Sequence, residues 1–161
     1  AQAISDFSEA ISLKSSNAAA HYGLGLAYLK QGQLDDAQKS LNTSISLNKN
    51  SAPAHIAMGD VYRLQGNRVA AVNEYQKAIS IKAESEEAYL RMSDIREMRG
   101  DLELALADVR SGLALAPNSV DLHRRAADIA LKLEKMDDAM KEYSLVLQYQ
   151  PGDAAAVKGM T

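Results

Sequence analysis

Hydrophobic and polar positions along this chain repeat with a period of 34 residues. Small and aliphatic side chains return at this spacing, and so do glycines. A fixed period of about 20–50 residues is typical of proteins built from stacked structural repeats, so the spacing predicts that architecture. The three series are Ala3, Ala37, Ala71, Ala105 and Ala139; Ile11, Ile45, Ile79, Leu113 and Leu147; and Gly32, Gly66 and Gly100.

Each repeat is predicted to form two amphipathic helices joined by a short turn. First helices are expected over segments such as 18–31 and 52–65, and second helices over segments such as 35–47 and 69–81. Helices of about 13 residues are marginal alone in water, so each must bury its apolar stripe against a neighbour. A fourth series supplies side chains that accept hydrogen bonds from the first turn of each first helix: Asn17, Ser51, Ser85, Ser119 and Asp153.

The spacing accommodates four complete repeats without an insertion. We name them repeats one to four, at residues 18–51, 52–85, 86–119 and 120–153. Residues 1–17 would form the second helix of an earlier repeat, and residues 154–161 would begin the next first helix. We therefore predict one domain over residues 1–161. Because the chain begins with Ala1 and not with Met, we expect it to be a fragment or a processed chain.

These series of equivalent positions resemble the pattern of the tetratricopeptide repeat family, which places Leu-Gly, Tyr, Ala, Phe and Pro at fixed positions within 34 residues. The resemblance implies an all-α, right-handed α-solenoid of antiparallel helix pairs. Gly25, Gly59, Ser93 and Ala127 are expected to face the alanine series, where paired small residues let helices approach closely. Repeat two carries the pattern most fully, with His55, Met58, Gly59, Tyr62, Ala71, Tyr75 and Ala78.

Repeats three and four depart from the pattern. Arg96 and Ala130 stand where repeats one and two have Tyr28 and Tyr62, and Glu134 stands where the other repeats have the turn glycine. These substitutions predict a looser or locally altered geometry in that half of the chain.

Composition and charge exclude several classes of function. The net charge is −3 and no long basic run is present, which disfavours nucleic-acid binding. No stretch approaches the ~18 consecutive apolar residues of a membrane span, so we expect a soluble protein without membrane insertion. The chain has no cysteine, so its composition is compatible with both the cytoplasm and the periplasm.

The sequence predicts neither an enzyme nor a metal or cofactor site. His21, His55 and His123 share one place in the repeat, so they would follow the stack and not converge on one metal ion. We interpret them as replacements for the large packing residue of the family. No nucleophile elbow and no phosphate-binding glycine loop is found.

The resemblance implies a partner-binding groove lined by the first helices. Its first repeat would present an apolar patch, and its later repeats would present carboxylates at 34-residue steps. An amphipathic helix or peptide with basic residues would complement both surfaces. The implied groove residues are Tyr22, Leu26, Leu29, Ile56, Asp60, Arg63, Leu90, Asp94, Glu97, Arg124, Asp128 and Leu131.

Two alternatives stay open at the level of sequence. Arg63 and Arg124 could neutralise groove carboxylates across neighbouring repeats, which would leave a solvated, self-paired face. The chain could also be a structural assembly unit that self-associates through its two exposed terminal half-repeats. A protein-binding scaffold is the function that the sequence favours.

Overall fold

A computed structural model describes residues 2–82 and 85–161, and all regular secondary structure in those residues is α-helical. The all-α prediction is therefore confirmed. First helices and second helices alternate along the chain, as the period requires. The elements are α1 (Gln2–Leu13), α2 (Ala18–Lys30), α3 (Leu34–Leu47), α4 (Ala52–Leu64), α5 (Arg68–Ile81), α6 (Glu86–Met98), α7 (Leu102–Leu115), α8 (Val120–Lys132), α9 (Met136–Tyr149) and α10 (Ala154–Gly159).

The chain divides into two compact units, residues 1–82 and 83–161. In the first unit each helix from α1 to α5 packs on the next, and α2 also contacts α4. In the second unit the same holds from α6 to α10, with additional contacts of α8 to α6 and to α10. The single domain expected from the unbroken spacing stays a prediction.

Polar caps begin four of the five helices that the capping series predicts. The side chains of Asn17, Ser51, Ser119 and Asp153 accept from the backbone N–H three residues later, at 3.1, 3.3, 3.1 and 2.8 Å. Each bond satisfies an N–H that the helix itself leaves unpaired. Ser85 is the N-cap residue of α6, as predicted, but its side chain makes no such bond.

The turns between paired helices require a left-handed backbone residue. Gly32, Gly66 and Gly100 have φ of 73°, 80° and 82°, which glycine adopts without a Cβ clash. Glu134 occupies the same place before α9 and has φ of 58°. Repeat four therefore keeps the turn geometry with a residue that disfavours it.

The small residues Gly25 and Gly59 of the first helices leave space mainly for large side chains of the paired second helices, and less for a close approach of the two backbones. A Cβ added to Gly59 would lie 2.3 Å from Cε1 of Tyr75, and one added to Gly25 would lie 2.6 Å from Cγ of Leu41. The expected pairing of small residues with the alanine series is therefore only part of the packing. Because Gly59 has no side chain, the Tyr75 ring can pack against α4 at this position.

The departure at Arg96 is absorbed by an ion pair inside repeat three. The Arg96 Nε lies 2.5 Å from Oδ2 of Asp108, which joins α6 to α7. Burial raises the pKa of Asp108, and the neighbouring Arg96 guanidinium opposes that rise. Repeat three thus replaces the tyrosine of its neighbours with a charged contact.

Candidate binding cleft

A cleft of about 580 Å³ lies between α6 and α8, the first helices of repeats three and four. Its lining combines carboxylates, guanidinium groups and the apolar side chain of Leu90. The lining residues are Glu86, Glu87, Leu90, Arg91 and Asp94 of α6 and Asp121, Arg124, Arg125 and Asp128 of α8.

The three arginines of the cleft are each paired with carboxylates of the same unit. Arg91 lies 3.4 Å from Glu87, and Arg124 lies 2.7 Å from both Asp121 and Asp153. Arg125 is paired with Asp94, and it also lies 3.0 Å from Glu97. These pairs tie α6 to α8 and α8 to the start of α10.

Asp128 differs from these carboxylates because its partner is a neutral phenol. The Tyr143 hydroxyl on α9 donates to Asp128 Oδ1 at 2.6 Å. Burial raises the pKa of Tyr143, and the hydrogen bond to Asp128 adds to the rise, so the phenol keeps its proton.

Repeat two contains the same tyrosine–aspartate pair. The Tyr75 hydroxyl donates to Asp60 Oδ1 at 2.9 Å, and the Arg63 Nε lies 3.4 Å from that oxygen. Burial, followed by the charge of Asp60, raises the pKa of Tyr75. Sequence analysis missed these pairs, although each tyrosine follows its aspartate by 15 residues.

The structure brings four of the predicted groove residues of the second unit together in the cleft, namely Leu90, Asp94, Arg124 and Asp128. Glu97 lies beside them and pairs with Arg125 and Lys132. Leu131 packs against a buried cluster that includes Tyr143.

The predicted groove residues of the first unit are more buried than expected. Tyr22 and Leu29 pack against the buried cluster around Leu41 and Met58. Ile56 is only 8% exposed, whereas Leu26 is 37% exposed. The apolar patch predicted from the sequence therefore lies partly inside the core of this unit.

The ion pairs follow a different scheme from the one considered for the sequence. Arg63 pairs with Asp60 on its own helix. Arg124 pairs with Asp121 and Asp153, so it leaves Asp94 and Asp128 to other groups. Arg125, which the sequence did not single out, is the partner of Asp94.

Two of the three histidines, His55 and His123, form buried polar contacts within their own repeat and with the end of the preceding one. His55 Nδ1 lies 2.7 Å from Glu74, and His123 Nδ1 lies 2.6 Å from Glu142. Their Nε2 atoms face the backbone oxygens of residues 49 and 117 at 3.3 and 2.8 Å. These rings therefore join a loop, a first helix and a second helix, in addition to packing.

In residues 2–82 and 85–161 no three His, Asp or Glu side chains are arranged to hold a metal ion. Over the same ranges, none of the helices has the length and apolarity needed to cross a bilayer.

Comparison with known families addresses the repeat pattern directly. Models described as tetratricopeptide repeat match residues 18–51, 52–85 and 96–161, and one described as TPR repeat matches residues 1–32. The chain belongs to the tetratricopeptide repeat family. The boundaries of the matches at 18–51 and 52–85 coincide with repeats one and two of this TPR protein.

Several TPR proteins are among the solved structures with the same fold. YrrB, a TPR protein with an unusual peptide-binding site, has a TM-score of 0.73 at 18% identity, over 96% of this chain and 79% of its own. A thermophilic TPR protein from Thermus thermophilus, TTC0263, has a TM-score of 0.75 at 18% identity, over 97% and 86%.

The C-terminal part of a TPR repeat-containing protein from Cytophaga hutchinsonii has a TM-score of 0.86 at 16% identity, over 99% of this chain and 63% of its own. At these identities the likeness concerns the fold alone. No curated protein is similar enough in sequence to count as a match.

Proposed function

We propose that this TPR protein binds a segment of a partner protein along the faces of its first helices. The observation that carries the proposal is the α6–α8 cleft, which is open, lined by first helices and rich in polar side chains. The partner segment is an amphipathic helix or peptide with basic residues. Each large apolar side chain that it buries would contribute about 1.5–3 kcal/mol.

Family membership and one structural relative support this proposal. TPR repeats generally act as scaffolds for protein–protein interaction, and the YrrB structure is described as containing a peptide-binding site. The same membership supports a non-catalytic role, since TPR proteins are typically scaffolds. The arginines of the cleft are already held in ion pairs with carboxylates of the protein, which favours a basic partner over an acidic one.

The test uses Glu87 and Asp121, the two carboxylates at the rim of the cleft. Their side chains are 60% and 61% exposed, so reversing them changes the surface with little effect on the core. Glu87 and Asp121 pair with arginines of their own helices, whereas reversal at Asp94 or Asp128 would break a contact between two helices, with Arg125 or with Tyr143. Peptides selected from a displayed library on the wild-type protein serve as ligands, and calorimetry measures their affinity.

We expect the double variant Glu87→Arg, Asp121→Arg to weaken the selected peptides about tenfold or more, because two arginines added at the rim repel a basic partner. The matched control is Asp35→Arg, Asp137→Arg, which also reverses exposed carboxylates in the first turn of two helices. Equal loss in the control, or unchanged affinity in the rim variant, would count against the cleft as the binding site.

A second candidate is self-association through the terminal half-repeats, in helices α1 and α10. It is favoured by apolar side chains that α9 and α10 leave exposed, including Met140 and Val157. Light scattering over a concentration series tests this candidate. A molecular mass that stays monomeric throughout would contradict it.

A further inference from the structure

We propose that Asp128 is the carboxylate that selects a lysine or arginine side chain of the partner at the α6–α8 cleft. The inference rests on the proposed function and adds the residue that determines specificity. It predicts that the bound segment places one basic side chain beside α8, next to Leu90 of α6.

Charge pairing distinguishes Asp128 from three other carboxylates of the cleft. Glu87, Asp121 and Asp94 each have an arginine of the cleft as an ion-pair partner. Asp128 lines the same cleft. Among residues 2–82 and 85–161, its hydrogen-bond donor is the neutral Tyr143 hydroxyl. Within those ranges no Lys, Arg or His nitrogen forms an ion pair with Asp128, although Arg124 and Arg125 line the same cleft.

Tyr143 fixes the direction of this carboxylate. Its hydroxyl lies 2.6 Å from Oδ1, and its ring is buried in a cluster with Ala127 of α8 and Ala156 of α10. A carboxylate accepts several hydrogen bonds through its two oxygens, so one bond to Tyr143 leaves Oδ2 able to accept from a cation. A hydrogen bond to a charged donor is roughly twice as strong as one between neutral groups.

The cleft suits the whole of a basic side chain and not only its charge. Lysine and arginine bury their aliphatic stems on apolar surface while the charged end reaches a polar group. Leu90 offers such a surface on α6, across the cleft from α8. An acidic partner would instead need Arg91, Arg124 or Arg125, which are already paired with carboxylates of the protein.

Asp60 provides a comparison within the same chain. It receives the Tyr75 hydroxyl at 2.9 Å, as Asp128 receives that of Tyr143. The Arg63 guanidinium also lies beside Asp60, with its Nε at 3.4 Å. Because a cation already balances Asp60, removal of its charge should have little effect on a basic ligand.

The experiment uses three synthetic peptides as probes. Each is an acetylated and amidated amphipathic helix with leucines along one face, and two flanking positions carry lysine, glutamine or glutamate. Nitrogen-15 NMR titrations of the full chain measure affinity and locate binding by shifts of α6 and α8 amides. We expect the lysine peptide to bind about tenfold more tightly than the glutamine peptide, as a charged hydrogen bond would produce.

Asp128→Asn should abolish this preference, whereas Asp60→Asn should retain it. The amide keeps an oxygen that can accept from Tyr143, and circular dichroism checks that the helices are intact. Tyr143→Phe should weaken the lysine peptide and leave the glutamine peptide unchanged, because the hydroxyl acts through the Asp128 carboxylate. A purely structural role of Tyr143 would weaken both peptides alike.

The outcomes separate this inference from the proposed function. If the lysine and glutamine peptides bind the cleft equally, or if Asp128→Asn keeps the wild-type preference, the role of Asp128 is overturned while binding in the cleft stands. If none of the three peptides shifts α6 or α8 amides, both proposals are contradicted.

Discussion

Glu134 holds a left-handed backbone conformation that its side chain disfavours. Its φ is 58°, and it stands where three other repeats use glycine. This conformation costs a residue with a Cβ roughly 1–2 kcal/mol, part of which returns because glycine makes the unfolded chain more flexible. We expect Glu134→Gly to stabilise the protein by about 1 kcal/mol, which corresponds to a rise in Tm of about 2–4 °C. Thermal unfolding followed by circular dichroism measures this change.

Gly66→Ala is the matched control for this prediction. Gly66 has φ of 80° in the equivalent turn of repeat two, and a Cβ there would meet no atom within 4 Å. Its substitution therefore tests backbone conformation without a steric clash, and it should lower Tm. Glu134→Gly and Gly66→Ala changing stability in the same direction would show that the turn conformation is not the cause.

Single residues were predictable from sequence where the backbone dictates them. The caps Asn17 and Ser119 and the glycine turns recur because every repeat presents the same unpaired N–H groups and the same left-handed turn. The Tyr143–Asp128 and His123–Glu142 contacts were not predicted, since they depend on how side chains of two helices meet in space. The 34-residue spacing identifies equivalent positions in successive repeats, but it does not show which of these positions are in contact.

Helix α10 begins at a cap that also carries charge. Asp153 accepts from the Ala156 N–H at 2.8 Å, and it lies 2.7 Å from Arg124 of α8. The Ala156 backbone bond, followed by the Arg124 contact, lowers the pKa of Asp153. A carboxyl whose pKa is lower in the folded state stabilises that state above its usual pKa near 4, and this contribution is lost as the pH falls through the lowered value.

Asp153→Asn tests this linkage, because the amide can still cap α10 but carries no charge. At pH 7 we expect the variant to be less stable than the wild type, and we expect the difference to shrink as the pH falls from about 4 toward 2. Amide exchange of α10 and thermal unfolding at each pH measure it. A difference between variant and wild type that is constant over this range would exclude the charge of Asp153 as its source.

At the scale of elements, helix boundaries followed the sequence closely. The segments 18–31 and 69–81 became Ala18–Lys30 and Arg68–Ile81. Capping side chains and turn glycines mark these ends locally, so the boundaries need no knowledge of packing. The cleft needs that knowledge, because Arg125 lies in a predicted first helix without any local sign that it reaches Asp94 of α6.

For the molecule as a whole, the period predicted the helix pairs but not the division into two compact units. The spacing runs unbroken through residues 82 and 83, where that division falls. The sequence spacing shows which residues of successive repeats are equivalent. It does not show which residues of one repeat contact the next. Within each unit, packing links helices that are adjacent or next but one in sequence.

Such packing predicts that the stability of the second unit is the sum of the stabilities of its helix pairs and of the interfaces between neighbouring pairs. Ala139 on α9 is fully buried, so Ala139→Leu should overpack its surroundings and cost about 1–3 kcal/mol. We expect amide exchange, followed by mass spectrometry, to rise most in α8–α10, less in α7 and least in α6.

The control is Lys141→Leu, at an exposed position of α9, which should leave exchange nearly unchanged. Because α6 contacts α7 and α8 but not α9, it should feel the change only through them. An equal rise from α6 to α10 would instead mean that this unit opens as one cooperative block.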